Sequence, residues 1–115
     1  MIRLILCFLA LPFLAFAHGD AHWIQSKPHL YKRQLENVSC CGIDDCRVAL
    51  PHEYRRVENG FIVLKDNRLF EYDKQGTYQS ETPKFWLCER MVYNDTTKKS
   101  EMQTLCFFYV PDPGS

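Results

Sequence analysis

Apolar residues follow two regimes along this chain: one continuous block at the start, then short alternating runs. Leu4 to Phe16 is almost wholly apolar, behind a Met1-Ile2-Arg3 start that carries one positive charge. Ala15-Phe16-Ala17 supplies the small-x-small pattern that signal peptidases cut behind. The block is too short to span a bilayer comfortably, and polar His18-Gly19-Asp20 follows at once. The expectation is a signal peptide over residues 1–17, cleavage near Ala17, and a periplasmic or secreted mature chain.

After this block the pattern is that of a small β protein. Residues 18–39 read as a polar N-terminal arm broken by Pro28, with two weak helical turns from Leu30 to Glu36. Arg47-Val48-Ala49-Leu50 reads as a short strand ended by Pro51. Tyr54–Glu58 and Phe61–Leu64 flank Asn59-Gly60, the pair preferred in a type I′ hairpin turn, where both central residues take positive φ. Asp66-Asn67 makes a second turn, and Arg68-Leu69-Phe70-Glu71-Tyr72 alternates as a half-buried strand does. Residues 73–84 look loop-like, with Gly76 and Pro83 as punctuation. Two long β-prone runs, Phe85–Tyr93 and Glu101–Val110, are joined by a polar stretch. The sum is a mainly β fold: a disulfide-stapled antiparallel domain of about five strands over residues 40–110. A short N-terminal arm or helix precedes it, and a flexible tail, residues 111–115, follows it.

Charge narrows the function by exclusion. Without its first 17 residues the chain keeps 98 of 115, enough for one domain, and 13 Lys and Arg against 14 Asp and Glu. Arg55-Arg56 and Lys98-Lys99 are isolated pairs, so the basic stripe that nucleic-acid binding requires is missing. A second hydrophobic segment is also missing, and no membrane span is expected in the mature chain. Cys7 lies in the apolar block and leaves with the signal peptide.

Five cysteines remain: Cys40, Cys41, Cys46, Cys88 and Cys106. In an exported domain they read as two disulfides and one spare thiol, which leaves a cysteine over for a disulfide-linked dimer. If the last two runs pair symmetrically about Thr97, Cys88 stands directly opposite Cys106, with Cβ atoms about 4.5 to 5.5 Å apart. Either one also lies on the sheet face from which the Cys40–Cys46 loop is reachable. The pairing expected is Cys40 or Cys41 with Cys88 or Cys106, and Cys46 in the other bridge. The cluster has neither zinc-ligand spacing nor a Cys-x-x-Cys redox pair, so it reads as a staple.

Other chemistry is thin. An N-terminal His18 freed by cleavage, helped by His22 or Asp20, is a copper-chelating arrangement and the second functional reading. A spare thiol near His52 gives a third, a thiol-dependent enzyme or redox protein, but no nucleophile elbow accompanies it. Asp44-Asp45 are adjacent and read as turn formers, and Asn37-Val38-Ser39 and Asn94-Asp95-Thr96 are glycosylation sequons. Aromatics are plentiful, and Phe85-Trp86 and Phe107-Phe108 each place one ring on either face of a strand. One ring of each pair is expected in the core, and the other on an exposed partner surface or under a second packed layer. The leading expectation is therefore a non-enzymatic binding module for an unknown protein or envelope component, without cofactor or metal.

Cys40-Cys41-x4-Cys46 with Asp45-Cys46-Arg47, the single Cys88, and Cys106-Phe107-Phe108 followed by Pro111 carry a resemblance. The pattern is similar to a group of small exported alphaproteobacterial proteins with Cys-Cys-x4-Asp-Cys-Arg and a later Arg-Cys-Leu-Phe-x-Pro. It covers residues 40–110 in outline and departs before Cys88, where Ser80 to Trp86 lacks the glycine and histidine of that group. The resemblance implies bacterial export and a shared disulfide scaffold, and it brings no catalytic residue.

Overall fold

A computed structural model describes residues 21–40 and 45–112. The expected signal peptide, His18, Asp20, Cys41, Asp44 and residues 113–115 lie outside the described residues. A single helical turn, α1 (His22–Gln25), is followed by an extended arm and seven strands. These are β1 (Asp45–Val48), β2 (Tyr54–Val57), β3 (Gly60–Val63), β4 (Arg68–Glu71), β5 (Thr77–Gln79), β6 (Trp86–Asn94) and β7 (Lys99–Tyr109). A short 3-10 turn, Pro51–Glu53, sits between β1 and β2. The strands form two sheets, ordered β1-β6-β7-β5 and β2-β3-β4.

The mainly β, disulfide-stapled class expected from the sequence is the one observed, with seven strands where about five were expected. Thr77–Gln79 supplies the strand that sequence missed, inside a stretch read as loop. It is three residues long and pairs parallel with Phe107–Tyr109, so it shows neither alternation nor a hairpin turn. The helix expected over Leu30–Glu36 is absent. Tyr31 and Arg33 are buried two residues apart, an extended period, and Lys32 bridges Ser39 instead. The arm closes on itself through Arg33 N–H to Val38 C=O and Cys40 N–H to Tyr31 C=O.

The Asn59-Gly60 hairpin exists, but not as a type I′ turn. Val57 pairs with Gly60, so Glu58 and Asn59 are the central residues. Neither of these, nor Gly60, has positive φ. Gly60 is required by packing: a Cβ there would lie 2.1 Å from the Phe70 carbonyl oxygen on β4.

The four-stranded sheet is covered on both faces. Against one face the arm packs Ile24 and Tyr31 onto Trp86, Phe108 and the half-cystines Cys40, Cys88 and Cys106. Against the other, Phe61, Val63 and Phe70 of the second sheet pack on Leu87 and Phe107. Phe107 and Phe108 are both fully buried, one in each layer. The expected exposed aromatic of this pair is therefore corrected to a second packed layer. Trp86 is buried as well and Phe85 is half-buried, stacked on Tyr54 at 4.7 Å between centroids.

Two disulfides close the fold, Cys40–Cys106 and Cys46–Cys88. Cys88 does pair in register with Cys106, but it is bonded to Cys46 on its other side. Three half-cystines thus stand abreast on β1, β6 and β7, and the arm reaches over to bind the third.

Candidate functional site

The sequence candidates do not converge. His22 and His29 are exposed and His52 is exposed on the 3-10 turn. Among the described residues no group of three His, Cys, Asp or Glu side chains is placed to hold a metal ion. Cys40, Cys46, Cys88 and Cys106 are in disulfides, which removes them as nucleophiles. Asn37 is exposed, while Asn94 turns its Oδ1 back to accept the Thr96 and Thr97 N–H groups at 2.9 and 3.2 Å.

A charged cluster that sequence did not reveal joins β1, β6 and the loops around them. Arg47 Nη1 and Nη2 donate to both oxygens of Glu53 at 2.8 and 2.6 Å, and its Nε donates to Glu89 at 2.9 Å. Lys65 bonds the other oxygen of Glu89, which is 5% exposed. The Arg47 guanidinium is the main cause holding the Glu53 carboxyl down to about 2, with the Leu50 N–H helping. Burial pushes the Lys65 ammonium below its ordinary range. Every charge here has an opposite partner, so the cluster works as a clamp between elements.

The long β6–β7 hairpin is the other distinctive feature. Among the described residues β1 covers β6 as far as Glu89, and β5 covers β7 at Phe107–Tyr109. Beyond Glu89 the hairpin is two-stranded among the described residues, and Met91 and Tyr93 are 61% and 57% exposed. At its root the register shifts by one residue: Cys88 faces Cys106, but Glu89 faces Thr104. Leu105 is the extra residue, a β-bulge that bends the strand and frees backbone groups. Those groups are taken from outside the hairpin. The Thr104 N–H donates to Asp66 Oδ2 at 2.7 Å, and the Leu105 carbonyl accepts the Gln34 N–H at 3.0 Å.

The bulge, the arm and the start of β4 enclose a half-open cavity of about 150 Å³. Arg33, Arg68 and Arg90 line it with Glu36, Gln103 and Thr104. Arg33 comes from the arm and is 6% exposed. Glu36 meets Arg33 at 3.4 Å and Arg90 at 3.2 Å. Arg68 Nη1 donates to Gln34 Oε1 at 3.2 Å, and its Nε lies 3.8 Å from Asp66. Thr104 is fully buried with no partner for its Oγ1, and Asp66 Oδ1 is likewise buried and unpartnered. The three arginines are scattered through the sequence with no local motif, so nothing in their spacing announces the cavity.

No family model matches the chain, and neither a curated protein nor a solved structure does.

Proposed function

We propose that this chain is an exported, disulfide-stabilised binding module that carries out no chemistry of its own and recognises a protein or other component of the cell envelope through its projecting hairpin. Export is supported by the leader-like pattern of residues 1–17 and by two disulfides, which persist in oxidising compartments. The observation that carries the reading is the outer half of β6–β7, which pairs with no other strand among the described residues and holds Met91 and Tyr93 out to solvent. Unpaired strand edges are the usual template for adding another chain's strand, and Met and Tyr are favoured at interface cores. The core aromatics are committed to packing, so recognition falls to this hairpin rather than to Phe107 or Phe108.

The test is photo-crosslinking in living cells that export the protein. A benzophenone side chain at position 91 or 93 gives a discrete adduct, while the same group at exposed Arg55 on β2 does not. Adducts absent from both hairpin positions, or shared with position 55, refute the reading.

A further inference from the structure

We infer that the outer edge of β5 is a docking site for an extended acidic segment of another protein, gripped by Lys32 and Lys74. The inference does not depend on what the β6–β7 hairpin binds. Among the described residues β5 is the last strand of its sheet, and a groove of about 550 Å³ lies beside it. The arm contributes His29, Leu30 and Lys32 to this groove, and the turn after β4 contributes Asp73 and Lys74. Toward β7, Gly76 C=O accepts the Phe107 N–H and Ser80 N–H donates to Tyr109 C=O, both at 2.8 Å. Backbone groups alternate sides along a strand, so Thr77 and Gln79 turn theirs away from β7. The Thr77 N–H is taken by the Lys74 C=O at 3.1 Å, whereas the Gln79 N–H and C=O have no partner among the described residues. Such a row is what an added strand bonds to, with the flanking side chains setting which sequences fit.

Charge selects the occupant. Both lysines are fixed beside the strand through their backbones. The Tyr78 hydroxyl accepts the Lys32 N–H and donates to the Lys32 C=O, each at 2.9 Å, and Lys74 is tied to Thr77. Among the described residues the lysine ion pairs are those of Lys27 and Lys65, so neither Lys32 nor Lys74 has a carboxylate partner. Asp73 is the carboxylate in the groove lining, set against the two lysines, so the lining is net positive before His29 is counted. Glu81, in the loop after β5, is already held by Lys27 and the Tyr31 hydroxyl. A second copy pairing along the same edge sets lysines against lysines, which disfavours self-association. An acidic segment meets opposite charge instead. Leu30 is 53% exposed and gives an apolar side chain of that segment a surface to rest on.

The experiment is amide NMR of the folded, oxidised protein titrated with a capped peptide that alternates glutamate and valine. A lysine–valine peptide and an N-methylated copy of the acidic peptide are the controls. The acidic peptide gives saturable shifts centred on Gln79, and the Gln79 N–H exchanges several-fold more slowly when it is bound. The N-methylated copy, without its ladder donors, loses most of the affinity. Lys32→Gln and Lys74→Gln each weaken binding about two- to fivefold, the loss of one solvent-screened charge contact. Unchanged amide shifts away from the groove show that both variants keep the fold. Lysines that only guard an edge against pairing give the opposite sign, tighter binding once they are removed, and that result overturns the inference. It also falls if no shift saturates at millimolar concentration, or if the lysine–valine or N-methylated peptide binds as tightly. Gln79 shifts that grow with protein concentration in the absence of peptide put a second copy on the edge and overturn it as well.

Discussion

The two disulfides are nested, and this makes a quantitative statement about their coupling. Cys40–Cys106 spans 66 residues and encloses Cys46–Cys88, which spans 42. Taken alone, loops of those lengths stabilise by about 4.3 and 3.9 kcal/mol in the chain-entropy treatment. With the inner bridge closed, the outer one closes a path of only about 24 residues, the difference between the two spans, and its contribution falls to about 3.4 kcal/mol. By the same cycle the inner bridge contributes about 3.0 kcal/mol when the outer is present. Opening both therefore costs about 7.3 kcal/mol, roughly 0.9 kcal/mol more than the two single losses together. A domain of this size is stable by about 5 to 15 kcal/mol, so each bridge is a large share of the total.

The assay is urea unfolding of four proteins: the parent, Cys40→Ala with Cys106→Ala, Cys46→Ala with Cys88→Ala, and the quadruple variant. Cys41→Ser is placed in every background, so that its thiol cannot replace a lost partner. If the quadruple variant does not fold in buffer, the cycle is closed in sulfate, which strengthens burial for all four alike. The expected outcome is single losses near 3 kcal/mol and a double loss that exceeds their sum. A double loss equal to or smaller than the sum refutes the nested-loop reasoning. It would mean that the unfolded chain is already compact enough for loop length not to matter.

Two further outcomes follow from the packing and the charges. Glu53 titrates at about 2 in the folded protein, below its ordinary 4.5, so its stabilisation is fully present above pH 4.5 and is lost as pH falls toward 2. Because Arg47 is partly exposed, the pair is worth about 1–2 kcal/mol, and Glu53→Gln should lose that at pH 7 and nothing near pH 2; parallel acid curves for parent and variant in urea unfolding would contradict this. Gly60→Ala drives a methyl group into the Phe70 carbonyl and the Glu71 Cα, both on β4 backbone. It should cost about 2–3 kcal/mol in the same assay, and a loss under about 0.5 kcal/mol would show that the β3–β4 spacing yields freely.

β-prone runs and turn signals made most of the strands legible, although β6 and β7 are buried on both faces at their inner ends and do not alternate there. Phe85–Tyr93 and Glu101–Val110 were placed to within two residues of the observed strands, and Cys88 does stand opposite Cys106, as symmetric pairing about Thr97 requires. The same arithmetic is one residue wrong beyond Cys88, because the bulge at Leu105 leaves no mark in the local pattern. Leu105 is an ordinary apolar residue in an apolar run. What makes it a bulge is distant: Gln34 and Asp66 supply partners for the backbone groups that the bulge releases. The arm was opaque for a related reason. Tyr31 and Arg33 are buried only because a sheet face arrives from later in the chain to cover them, and their polar neighbours suggested solvent. The cavity arises where these two illegible features meet, the arm on one side and the bulge on the other. A site assembled from an arm, the start of β4 and a register slip has no spacing to read. Its arginines come from the arm, β4 and β6, and the Cys40–Cys106 bridge ties the arm to β7.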